Sequence, residues 1–147
     1  MKYSEAEQGR TFVIRLEDGE VLHEVIEKFA ADLGIERAFL IAVGGAGPGS
    51  TLVVGPEDKD ARPVSPLTHV LDDVHEIAGV GTLFPDSGGR PMLHLHLACG
   101  REDHTVTGCG RTGVRTWQVA EVILVELLGT SARRETDPDT GFELLQP

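Results

Sequence analysis

The stretch "PMLHLHLACG", Pro91 to Gly100, sets two histidines one residue apart inside an otherwise apolar run. In a strand, alternate residues share a face, so Met92, His94, His96 and Ala98 point one way while Leu93, Leu95, Leu97 and Cys99 point the other. Same-face neighbours lie roughly 6 to 7 Å apart. Two imidazoles so placed can reach one divalent ion at about 2.0 to 2.1 Å from each nitrogen. A buried imidazole needs a hydrogen-bond partner or a metal. Spacing alone leaves two readings: a satisfied, partly buried pair, or two ligands of a transition metal.

Cys109 is the candidate third ligand, because a turn after His96 brings the next strand back alongside the first, and a thiolate suits zinc. Cys99 has the opposite parity from the histidines in its strand and reads as a small apolar residue. Two histidines, one cysteine and a water would make an open site of catalytic type, whereas a fourth protein ligand would make it structural. Of the remaining histidines, His69 is present without a role, His23 falls on a helix and His104 in a charged turn, while His75, with Glu76, is a spare that precedes a turn leading towards the His94 strand.

An enzyme built on this cluster would use zinc to lower the pKa of a bound water and a carboxylate to move protons. Glu121, in "QVAEVILV", is the candidate carboxylate, since a charge in such an apolar strand needs either a function or an ion-pair partner such as Arg10, Arg111 or Arg115. Arg111 and Arg115 are equally candidates to hold the carboxylate or phosphate of a ligand, with plain solvation as the alternative. A binding or regulatory module would use the same metal and arginines without turnover. No Gly-x-Ser-x-Gly stretch supports a serine hydrolase, and "VGGAGPGS" lacks the Lys-Ser/Thr end of a phosphate-binding loop.

The elements that must position these residues fit one domain of 147 residues. Hydrophobic residues make up 40% and charged residues 25%, and no apolar run is long enough to span a bilayer. "MKYSEAEQGRTFV" has no apolar segment behind Lys2, so a cytoplasmic location is expected, with Cys99 and Cys109 as free thiols. Thirteen basic against 24 acidic residues give a formal charge of -11, which repels phosphate backbones; Arg111, Arg115, Arg133 and Arg134 form only a thin basic scatter.

"RTFVIRLEDGE" alternates Phe12, Ile14 and Leu16 against Val13 and Arg15 and predicts a first strand ending at Asp18-Gly19. From Glu20 to Leu33, Val21, Leu22, Val25, Ile26, Phe29, Ala30 and Leu33 recur at helical spacing before Gly34. "RAFLIAVGGAG" reads as a central strand buried on both faces, with "STLVVG" as its neighbour. Residues 56 to 67 form a surface excursion, and "THVLDDVHEIAGVGTLF" two short strands joined by a bend. "PDSGGRP" and "GREDHT" are turns flanking "MLHLHLAC", and "VTGCGRTGV" is a glycine-interrupted strand or loop. "TWQVAEVILVELLG" is a long buried strand, and "DPDTG" closes a hairpin onto "FELL". One main helix among about seven or more strands predicts an α+β fold with a mostly antiparallel sheet.

Arg10, "DGEVL", "GIERAFLIAVGGAG", "HEIAGVGTL", "HLHLACGRED", "TVTGC" and "AEVILVEL" together resemble the plant and prokaryote conserved (PPC) domain over roughly residues 9 to 128, leaving 129 to 147 as a C-terminal hairpin or tail. The resemblance implies a sheet of about seven strands with flanking helices, a homotrimer and a weakly inherited DNA-binding role. It also implies a metal site in which a Gly-Gly-His histidine joins the earlier pair. This chain departs there, reading Gly108-Cys109-Gly110-Arg111: either Cys109 replaces that histidine after a one-residue shift, or the position is Gly110 and the third ligand is missing. An AT-hook would need Arg-Gly-Arg-Pro with basic flanks, and "SGGRPM" supplies only Arg90-Pro91, a turn.

Overall fold

The computed structural model describes all 147 residues. The elements run β1 (Glu7–Glu17), α1 (Leu22–Asp32), β2 (Ala38–Ala46), β3 (Thr51–Pro56), β4 (Pro66–Val70), β5 (His75–Pro85), β6 (Pro91–Arg101) and β7 (His104–Cys109). A 3-10 turn (Gly110–Thr112), β8 (Thr116–Leu128), β9 (Arg133–Thr136) and β10 (Glu143–Gln146) complete the chain. Eight strands form one antiparallel sheet in the order β1-β8-β2-β5-β6-β7-β3-β4, and β9 and β10 make a separate hairpin. The α+β expectation holds, with eight strands in the main sheet rather than about seven; the smaller flanking helices reduce to the single 3-10 turn.

One face of this sheet is closed. Leu16, Leu40, Ala42, Leu83, Leu93, Leu95, Leu97, Val122 and Leu124 pack with Leu22, Ile26 and Ala30 of α1 in one core, burying the apolar stripe of the helix. The helix begins two residues later than its periodicity predicts because the preceding backbone is engaged elsewhere. Val21 bridges Arg115, and the Thr116 amide donates to the Glu20 carbonyl. It ends as expected, with Gly34 in the left-handed region at φ +66°. Glu27 also reaches from the helix to β6, its carboxylate accepting the Leu93 amide at 2.8 Å.

The opposite face is open, which corrects two sequence expectations. β2 is buried on one side only: Phe39, Ile41 and Val43 are 44 to 49% exposed, and Val13 and Val80 are exposed beside them. β3 is not the neighbour of β2 but lies at the far end, between β7 and β4. The reason is local. After Ala46 the glycine-rich loop turns away, with Gly49 and Ser50 bonded to Leu71, so the apolar run of β3 packs against the hairpin arm instead. No helix is long and apolar enough to cross a membrane.

Two close approaches stabilise this arrangement. A Cβ on Gly108 would lie 2.6 Å from the Val53 carbonyl oxygen and 3.0 Å from Leu52 Cβ, so glycine is what lets β3 seat against β7. Glu126 ends the buried row of β8, and Arg10 clamps its carboxylate in a two-pronged pair, Nε to Oε2 and Nη2 to Oε1 at 2.7 Å each. That hydrogen bonding holds the Glu126 pKa below the ordinary carboxylate value.

Gly108→Ala should therefore destabilise the fold by about 1 to 3 kcal/mol in urea titration, since either β3 or β7 must shift. A carboxylate with a depressed folded pKa adds stability above its unfolded pKa and loses it as pH falls through the folded one. Glu126→Gln should accordingly lower the melting temperature at pH 7, and the gap to wild type should close on acidification below the usual carboxylate range.

Candidate metal centre

β6 is amphipathic in the strand sense: Leu93, Leu95, Leu97 and Cys99 are buried under α1, which forces Met92, His94, His96 and Ala98 onto the open face. His94 is half-buried and His96 exposed, and their Nε2 atoms are 3.1 Å apart with the rings edge to face. Antiparallel pairing sets Cys109 of β7 directly opposite His96. One ligand atom from each of His94, His96 and Cys109 falls within a mutual distance of 4.8 Å. Donors of a tetrahedral ion with bonds of about 2.0 to 2.3 Å stand roughly 3.4 to 3.8 Å apart. The donor set and its spacing thus fit zinc after side-chain adjustments of about an ångström.

Electrostatics favour the ligating form of His94. Burial lowers its pKa, and the nearby positive charge of Arg134, His96 and Arg111 adds to the effect, so the neutral ring is preferred. Cys99, fully buried on the other face, has its thiol pushed up to about 11 by burial and takes no part. Cys109 is partly exposed, and both thiols are free.

Two cavities flank the cluster, and Phe142 of the C-terminal segment borders both. The first, about 550 Å³, is walled by Val53, Val54, Val64 and Pro66 beside His96 and Cys109. The second, about 720 Å³, carries Arg111 and Arg134 beside His94.

The other sequence candidates are dispersed. Glu121 is exposed on the open face, opposite Arg15 and Val43. Its row continues through Ala78 to Ala98, which puts three strand spacings, about 14 Å, between Glu121 and β6. It pairs with none of the proposed arginines: Arg10 is bound to Glu126, and Arg115 donates to the Gly19 carbonyl. Arg111 and Arg115 both border a third cavity near Thr112, and Arg111 alone also reaches the His94 side. His75 is buried at the start of β5 with Nδ1 2.9 Å from the Asp73 carbonyl, away from the cluster. Arg134, in sequence only one of a thin basic scatter, is buried beside His94. The alternation of β9, which puts Arg134 on the same side as buried Ala132, is the signal that marks it.

The fold is close to that of a metal-containing protein from Archaeoglobus fulgidus, at 26% identity and a TM-score of 0.85 over all of both chains. A plant- and prokaryote-conserved protein of Pyrococcus horikoshii follows at 25% identity and 0.82, covering 98% of this chain and 99% of that one. A Ralstonia eutropha JMP134 protein whose DNA-binding name is provisional shares the fold at 20% identity and 0.71, over 92% and 90% of the two chains. Among curated proteins, the Bifunctional protein GlmU of Synechococcus sp. (strain JA-3-3Ab) is 28% identical over 135 residues, 90% of this chain but 20% of that much longer protein. Residues 3–128, which include both strands of the histidine–cysteine cluster, match the Plants and Prokaryotes Conserved (PCC) domain, and the chain is a member of that family.

Proposed function

We propose that this chain is a self-associating metal-binding module in which His94, His96 and Cys109 hold zinc or another divalent transition metal beside a ligand cavity, serving ligand binding or regulation. The observation that carries this reading is the convergence of three good donors from two paired strands onto one point. Cys109 then stands where the family's third histidine is expected, which favours replacement over loss. The name of the Archaeoglobus fulgidus protein adds support. Bound zinc would supply a Lewis acid able to polarise an oxygen of the ligand. Binding is preferred to catalysis because Glu121, the candidate proton carrier, is three strands from the cluster within the chain.

The open face supports self-association as the trimer that the family resemblance implies. Val13, Ile123, Ile41, Val80 and His96 line up across five strands, an apolar row leading to the metal cluster that a second copy would cover. A charge of -11 works against a DNA-binding role, which draws only on the provisional names of fold neighbours. The two free thiols suit a reducing compartment such as the cytoplasm.

Protein purified without a histidine tag should carry stoichiometric metal by elemental analysis, and His94→Ala and Cys109→Ala should each lose most of it. Wild type without metal, or both variants with full metal, would overturn the assignment. Sedimentation equilibrium should give a mass above that of one chain for wild type, and Ile41→Asp should shift it towards monomer. A monomeric wild type removes the self-association reading.

A further inference from the structure

Arg134 is 4% exposed, and no carboxylate lies within ion-pair distance of it; the Glu143 carboxylate, whose Oε2 is buried without a partner, lines the same cavity and acts on it only from farther off. Nη2 of Arg134 donates to Thr82 Oγ1 at 3.2 Å, its Nη1 makes a long 3.5 Å contact to the Glu143 carbonyl oxygen, and its Nε is buried without any partner. A guanidinium removed from water in this way is costly unless an anion compensates it, and Glu143 does so only at a distance. Arg111 stands within electrostatic reach, so two like charges face the same space. The family match ends at residue 128, and Arg134 comes from the hairpin that follows it. That hairpin lays Phe142, Leu144 and Leu145 along the cavity that ends at His94.

We propose that Arg134 and Arg111 form a subsite for the oxyanion head group, carboxylate or phosphate, of a small molecule whose apolar body lies along the C-terminal hairpin. The inference deepens the ligand-binding reading above and rests on it only for the metal's place at the far end of the cavity. Asp86 in the same lining is already paired with Arg90, and the two guanidiniums outnumber the one remaining carboxylate, Glu143, so together they attract an oxyanion and offer it several N–H donors. The apolar residues of β10 and Phe142 exclude water from its remainder.

The test is calorimetric titration of EDTA-treated protein with benzoate and, separately, with inorganic phosphate, at low ionic strength. At least one should bind wild type. Arg111→Gln, a change at an exposed position, should weaken that binding about tenfold or more. Arg134→Met should abolish it, and because that change leaves the Glu143 carboxylate without its cation, the double variant Arg134→Met with Glu143→Gln, which removes both charges, should keep the fold and also fail to bind. Benzoate alone binding assigns a carboxylate, and phosphate alone a phosphate ester. No binding of either probe, or binding unchanged in Arg111→Gln, overturns the subsite. Arginine-dependent binding by a protein that takes up no zinc sustains the subsite and overturns only the metal reading.

Discussion

Strand β6 is pressed on one side into the hydrocarbon core beneath α1, and that packing orients every side chain on its other side. Leu93, Leu95, Leu97 and Cys99 have no exposed alternative, because a slip of one residue would carry four apolar groups into water and two imidazoles into the core. The histidine pair is therefore presented by the hydrophobic effect acting on its neighbours, with no interaction of its own needed to aim it. Cys109 depends on the same packing at one remove, since the β6–β7 ladder sets it opposite His96 and Gly108 lets β3 close behind it.

The two faces of the sheet do different work. The helix side is a dry core, with Glu126 held at its margin by Arg10 and Glu27 spent on the Leu93 amide. The open side runs from exposed valines and isoleucines through the histidine–cysteine cluster to a buried arginine with no ion-pair partner. Apolar surface, metal donors and an uncompensated cation are each unfavourable left as they are in water or in the interior. Their concentration on one side is what the proposed self-association and ligand binding rest on.

Much of this was readable from local pattern. The period-2 alternation placed His94 and His96 together and Cys99 apart, the helical periodicity and Gly34 located α1, and the turn residues separated the hairpin arms. These readings succeed because alternation and turn geometry are properties of a few consecutive residues. The expectation that β2 is buried on both sides failed for the opposite reason. An apolar run records that both faces of the strand are apolar, without recording whether the rest of the chain covers each of them.

Pairing across long separations was also hidden. β3 follows β2 closely in the chain yet sits four places along the sheet, because the loop between them spends its hydrogen bonds on Leu71. Glu126 rather than Glu121 received Arg10, a choice made by parity within β8 and by the register of β1, neither of which a single segment displays. Side-chain chemistry and its facing were thus set by residue order along each strand. Which strands became neighbours, and with them the placing of Arg134 against His94, was decided only when distant segments competed to cover the same core.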